Sequence, residues 1–179
     1  MQYRRTFIPG GSYFFTIVTK RRQKLFVSDT NVEVLRQAFR NVMKKRPFNI
    51  DAAVVLPDHL HFVWTLPAND ADYPTRWRLI KTWFTKHCEH KYQFGLNASQ
   101  VKRGEQAIWQ HRYWEHLLQN EVDFEWHINY IHYNPVKHNY VNKPFDWKYS
   151  SLHKYVKQGI ISDKWGESNI CFPDGIGNE

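Results

Sequence analysis

The stretch Val54-Val55-Leu56-Pro57-Asp58-His59-Leu60-His61-Phe62-Val63-Trp64 decides the fold of this chain. Asn49 to Leu56 and His59 to Leu66 are rich in apolar, β-branched and aromatic residues, and Pro57-Asp58 between them has the composition of a tight turn. The spacing predicts a β-hairpin. Successive side chains of a strand alternate between faces, so His59 and His61 share one face while Leu60, Phe62 and Trp64 point to the other. Residues two apart on a strand stand about 6.5–7 Å apart, close enough for both imidazoles to reach one ion.

Outward from the hairpin, Ser12 to Thr19 follows Gly10-Gly11 and reads as another strand. Asn31 to Lys45 places Val32, Leu35, Phe39 and Val42 at helical spacing, with Thr30 as N-cap and Arg46-Pro47 as the stop. Asp72-Tyr73-Pro74 starts a second helix, running to about Tyr92 and burying Trp77, Ile80, Phe84 and Cys88. Gln93 to Glu105 is polar and reads as a loop. Trp114 to Leu118 reads as a short strand. Asn120 caps a helix from Glu121 to about Tyr133, which Asn134-Pro135 should end, because the residue before proline is pushed out of the α region. Ser151 to Lys157 reads as a short last helix. The order β-α-β-β-α-β-α predicts an α+β fold, ferredoxin-like, with a four-stranded antiparallel sheet and helices on one face. Residues 1–157 form one domain, and residues 158–179 an acidic, irregular C-terminal tail.

The chain has 179 residues, ten of them His, and only two cysteines, Cys88 and Cys171, which excludes a disulfide scaffold or a thiolate zinc site. No run approaches the roughly 18 apolar residues of a membrane helix, and no secretory signal is expected at the N-terminus. A soluble, cytoplasmic protein with no membrane partner is the expectation. Net charge is +8, and it is uneven: residues 1–46 hold 11 of the 25 Lys and Arg against two acids. The cations cluster in Arg4-Arg5, in Lys20-Arg21-Arg22 with Lys24, and in Lys44-Lys45-Arg46. Aromatics make up 17% of the chain. Cation clusters beside aromatics suit a phosphate backbone with unpaired bases stacking nearby. Trp109, Tyr113 and Trp114 could stack on bases, with burial in the core the expected fate of at least two of them. The plain alternative is a solubilising surface. The tail has the opposite sign: Lys164 stands against Asp163, Glu167, Asp174 and Glu179, with Trp165 and Phe172 among them. Such a segment can dock where DNA binds and compete with it; the alternative is an uninvolved, disordered end.

A second element is Tyr130-Ile131-His132-Tyr133-Asn134-Pro135. Positions i and i+4 share a helix face, so Tyr130 and Asn134 project together, a phenol able to attack and an amide oxygen able to help hold a metal. The alternative is a core tyrosine followed by an Asn cap.

Tyr3-Arg4-Arg5, Gly10 to Thr16, Val54 to His61, Arg112-Tyr113-Trp114-Glu115-His116 and Tyr130-Ile131-x-x-Asn134-Pro135-Val136-Lys137-His138 occur in an order and spacing that resemble the REP-associated tyrosine transposases. These are relatives of the single-strand insertion-sequence transposases in the HUH nuclease superfamily. The resemblance spans roughly residues 3–157. It implies an HUH-type fold and a nuclease that cuts single-stranded DNA at repetitive extragenic palindromes folded as hairpins, through a 5′-phosphotyrosine, and rejoins strands. It implies Tyr130 as nucleophile, His59 and His61 with Asn134 around Mg²⁺ or Mn²⁺, and a place at the nucleoid. Lys137, His138 and His116 are candidates for taking the tyrosine's proton or contacting phosphate, and Arg4, Arg5, Lys20, Arg21, Arg22 and Lys24 for binding DNA. Either a monomer or a homodimer is compatible. A non-catalytic binder of hairpin DNA is the rival function.

Overall fold

The Leu56 N–H bonds the His59 carbonyl at 2.9 Å and closes the Pro57-Asp58 turn, so the hairpin forms as the sequence predicts. The computed structural model describes residues 6–89, 98–102, 108–173 and 175–176. Arg4 and Arg5, and the predicted helix end at Tyr92, lie outside the described residues. The strands are β1 (Ser12–Val18), β2 (Asn49–Val55), β3 (His59–Thr65) and β4 (Trp114–Leu117). They form one antiparallel sheet in the order β2-β3-β1-β4. The helices are α1 (Asp29–Lys45), α2 (Tyr73–His87), α3 (Ala98–Lys102), α4 (Glu121–Lys137) and α5 (Leu152–Lys157).

Both faces of the sheet are buried, which corrects the expectation of helices on one face. Tyr13, Phe15 and Ile17 of β1 and Leu60, Phe62 and Trp64 of β3 join Leu35, Phe39, Trp77 and Ile80 of α1 and α2 in one core. The other parity, Phe14, Ala52, Val54 and Val63, packs with Ile128, Tyr130 and Ile131 of α4. A strand apolar on both faces shows no alternation, so the second helical layer was invisible in the pattern of β3. Trp64 and Trp77 stack at 4.2 Å between ring centroids in the first core. Two of the three aromatics considered for base stacking go to this core, as expected. Trp109 is 2% exposed and Tyr113 packs against the same core.

Helix ends differ from expectation for identifiable reasons. Ser28, not Thr30, caps α1 by accepting from Asn31 N–H, and Thr30 falls within the first turn. Asp72 caps α2 as predicted, but the helix ends at His87 with Cys88 as C-cap. Residues 98–102, within the predicted loop, are helical. Asn120 caps α4 by accepting from Asp123 N–H at 2.9 Å. That helix then runs straight through Pro135. It ends at Lys137 with His138 as C-cap, and the chain turns away at Asn139, whose φ of 57° is the left-handed conformation Asn tolerates. Tyr140 N–H bonds the Pro135 carbonyl and Asn139 N–H the Val136 carbonyl, each at 2.9 Å, the two bonds of a Schellman motif. Burial of Tyr130 through Pro135 against the sheet outweighs the local preference before proline.

The exposed side of β2 is covered. Val55 N–H bonds Tyr149 O at 2.9 Å and Ser151 N–H bonds Ala53 O at 2.8 Å, so this edge strand presents no open ladder there. The tail beyond Lys157 has no regular element among its described residues, and it lies against α4. Trp165 meets Tyr133, Glu167 pairs with Lys143 at 2.8 Å, and Phe172 packs on Tyr130.

Candidate active site

On the sheet face beneath α4, Val54, His61, Thr16 and Trp114 are successive neighbours across the four strands. His59 lies on the same face, one step along β3, and its ring centroid is 5.0 Å from that of His61. Both rings are essentially fully buried.

Each imidazole is held from its Nδ1 side. Asp58 Oδ1 stands 2.5 Å from His59 Nδ1, and Thr16 Oγ1 stands 3.0 Å from His61 Nδ1. A carboxylate can only accept, so it places the proton of His59 on Nδ1, and the Thr16 hydroxyl can accept in the same way from His61. Nε2 of each ring is then the nitrogen that could ligate a metal. The turn itself is anchored, because Thr19 donates from both N–H and Oγ1 to the Asp58 carbonyl at 2.9 Å. Asp58 and Thr16 were absent from the sequence-derived site. The adjacency of Asp58 to His59 was the available signal for one, whereas Thr16 is found only through strand register.

From above, α4 brings Tyr130, 1% exposed, with its ring 5.6 Å from that of His61. Asn134 lies one turn further along, fully buried, and neither atom of its side-chain amide has a hydrogen-bond partner among the described residues. It is no C-cap, because the helix continues past it. A buried amide left without partners costs about 1–3 kcal/mol, so its polar atoms suit a ligand. Two imidazoles with their Nδ1 sides held, and this amide, fit a divalent cation.

Lys137 Nζ donates to the Tyr130 hydroxyl at 2.8 Å. His138 brings its ring within 4.9 Å of His59. Arg22 NH1 lies 3.5 Å from Asp58 Oδ2, which brings the basic segment after β1 to the rim of the site. Arg21 and Arg22 both have positive φ, at 57° and 50°, a strained conformation for side chains of this size. Arg21 and Lys24 are exposed, and Lys20 donates its backbone N–H to Ile108 O at 2.7 Å. His116 takes another course. Its Nε2 bonds Asp123 Oδ2 at 2.9 Å, and Asp123 also faces His127, so the structure does not join His116 to the Tyr130 hydroxyl.

The fold thus brings a buried histidine pair, held by polar partners, beneath a tyrosine carried on a helix of the same chain. Residues 9–134 match the IS200-like transposases. The chain is 40% identical over 174 residues, 97% of its length and 96% of the other, to the REP-associated tyrosine transposase of Escherichia coli K12. A relative from Haemophilus influenzae is 42% identical over 164 residues, 92% of each chain. The solved structure of a REP-associated tyrosine transposase bound to a REP hairpin superposes with a TM-score of 0.77 at 37% identity, covering 98% of both chains. The chain belongs to the IS200-like transposases and, within them, to the REP-associated tyrosine transposases. Among the described residues no helix is long and apolar enough to cross a membrane.

Proposed function

We propose that this protein cuts and rejoins single-stranded DNA at hairpin-forming palindromic repeats, with Tyr130 as nucleophile. The observation that carries this reading is the convergence, within one chain, of the Tyr130 ring on His61 and of Lys137 Nζ on the Tyr130 hydroxyl. Membership of the family and the hairpin-bound relative support it.

In the reaction, Tyr130 Oη attacks the scissile phosphorus and forms a phosphotyrosyl bond to the 5′ side. The bond to the 3′ oxygen breaks, that oxygen takes up a proton, and the phenol gives up its own. A free phenol, with pKa about 10, is only about one part in a thousand ionised at pH 7. The Lys137 ammonium already donates to the oxygen, so it stabilises the phenolate rather than accepting its proton. Because the ester keeps the bond energy, attack by a 3′-hydroxyl rejoins strands. His59, His61 and Asn134 would hold the metal, and of Mg²⁺ and Mn²⁺ the imidazole pair favours Mn²⁺. Such an ion supplies Lewis-acid charge at the phosphate.

Arg22 at the rim, with Lys20, Arg21, Lys24 and the Arg4-Arg5 pair, would receive the phosphate backbone. The active groups all come from one chain, so a monomer suffices for one cleavage and a homodimer is required only for two concerted ones. In this reading the tail, through Phe172, acts as a cover over Tyr130, which is nearly sealed and meets the Phe172 ring edge-on at 5.6 Å. The site of action follows the DNA, in the cytoplasm at the nucleoid.

The test is incubation with labelled single strands carrying palindromes from the neighbourhood of its own gene. The native chain should form a denaturation-resistant protein–DNA adduct, and Tyr130→Phe should bind the hairpin without forming it. Hairpin binding with no adduct from the native chain would instead identify a non-catalytic binder.

A further inference from the structure

We propose that His116, Asp123 and His127 form a second metal site, structural in role, for a divalent transition ion of the zinc class. His116 comes from β4, and Asp123 and His127 lie one turn apart at the start of α4. One ligand atom from each lies within 4.8 Å of the others. The two oxygens of Asp123 already face one imidazole each, His116 Nε2 at 2.9 Å from Oδ2 and His127 Nδ1 at 3.0 Å from Oδ1. The two rings stack at 4.9 Å between centroids with 23° between planes.

The chemistry of the set selects the ion. Zinc holds imidazole nitrogen and carboxylate oxygen at about 2.0–2.2 Å, which puts tetrahedral ligand atoms about 3.3–3.5 Å apart. An ion could replace the hydrogens between these groups if the contacts to Asp123 opened by a few tenths of an ångström and His127 Nδ1 exchanged for it the bond it makes to the Asp123 carbonyl at 2.8 Å. Two nitrogens and one carboxylate suit zinc, nickel or cobalt, while Mg²⁺ prefers oxygen and retained water. His127 is 2% exposed, so the ring is held in place by the core around it. His116, 31% exposed, leaves the outer side open for a water as fourth ligand.

This cluster is separate from the His59–His61 pair. The Phe14 ring stands between them, 5.5 Å from His61 and 4.8 Å from His127. Its use follows from position. β4 is a four-residue edge strand whose one partner in the sheet is β1. An ion here ties β4 to the first turns of α4 and, three residues before Tyr130, fixes the rotation and height of the tyrosine helix over the sheet.

The test uses the full chain carrying His59→Ala and His61→Ala, which removes the first pair and makes the result independent of DNA cleavage. Titration with Zn²⁺ or Co²⁺ against a chromophoric chelator should show one equivalent bound, with a rise in thermal midpoint and no competition from Mg²⁺. Adding His116→Gln, at a partly exposed position, should weaken binding at least tenfold while the metal-free chain keeps its circular dichroism spectrum. No binding by the double variant, or unchanged binding after His116→Gln, overturns the proposal.

Discussion

Lys137 Nζ lies 2.8 Å from the Tyr130 hydroxyl and 4.5 Å from the centre of its ring, seven residues further along the same helix. Two turns of α-helix put such a pair on one face, and the pair exists only because α4 continues through Pro135.

Lys137→Met keeps the length of the side chain and removes its charge. Adduct formation by this variant should slow by about 10²-fold, the lower end of what a positioned charge contributes, with the loss shrinking as pH rises toward the phenol's own range. Single-turnover rates between pH 7 and 10 measure this. A rate equal to the native one at pH 7 would show that the lysine serves only to pack the ring.

The histidine pair makes a separate prediction. His59→Ala or His61→Ala should abolish metal-dependent cleavage, and a chelator should do the same to the native chain. Asp58→Asn should have a milder effect, weakening Mn²⁺ about 10- to 100-fold, since it disturbs only the partner that fixes the His59 proton. Manganese affinity read by electron paramagnetic resonance separates these outcomes from any change in DNA binding.

The tail prediction follows from the burial of the nucleophile. A phenol 1% exposed cannot reach a phosphate until its cover moves. Truncation after Lys157 should speed adduct formation or tighten binding, most at low salt, where an acidic segment competes best. Phe172→Ala, which leaves the Glu167–Lys143 pair in place, should act in the same direction and guards against loss of folding. Equal rates in all three proteins would assign the tail no control.

Acid stability should carry the mark of His132. This ring is fully buried on α4, bonded to Ser151 Oγ at 2.8 Å, and burial lowers its pKa to about 3. The unfolded chain binds this proton from about pH 6.5 downward and the folded chain does not, so stability falls as pH drops from 6.5 toward 3. The loss at pH 5 relative to pH 8 should be about 2 kcal/mol from this one group. His132→Gln should flatten that slope in urea titrations, and an unchanged slope would exclude His132 as its source.

Much of this was legible in the sequence, and the exceptions share a cause. The hairpin, the strand β1, the caps Asp72 and Asn120 and the common face of His59 and His61 follow from local chemistry, which reads correctly when local and tertiary preferences agree. Pro135 is the opposite case. Local sterics argue for a break before it, tertiary burial keeps the helix, and the true stop is written in Asn139, a residue that signals only once its left-handed geometry is known. The role of Thr16 is non-local in the same sense, because it depends on β1 lying beside β3 with Thr16 opposite His61. His116, a candidate for the proton or phosphate role, stands apart from the Tyr130 hydroxyl in the fold. One row of the sheet separates it from His61, since it faces Phe14 across β1 rather than Thr16.

The two faces of the sheet carry unequal burdens. The Trp64–Trp77 side, with α1 and α2, holds most of the buried apolar residues, while the proposed catalytic groups lie on the side of the smaller core under α4. A substitution at His61 or Tyr130 therefore removes chemistry without touching the larger of the two cores. If the proposed cleavage holds, a descendant that loses it keeps the larger core and the basic segment, and is available at once for selection as a DNA-bound protein without nuclease activity.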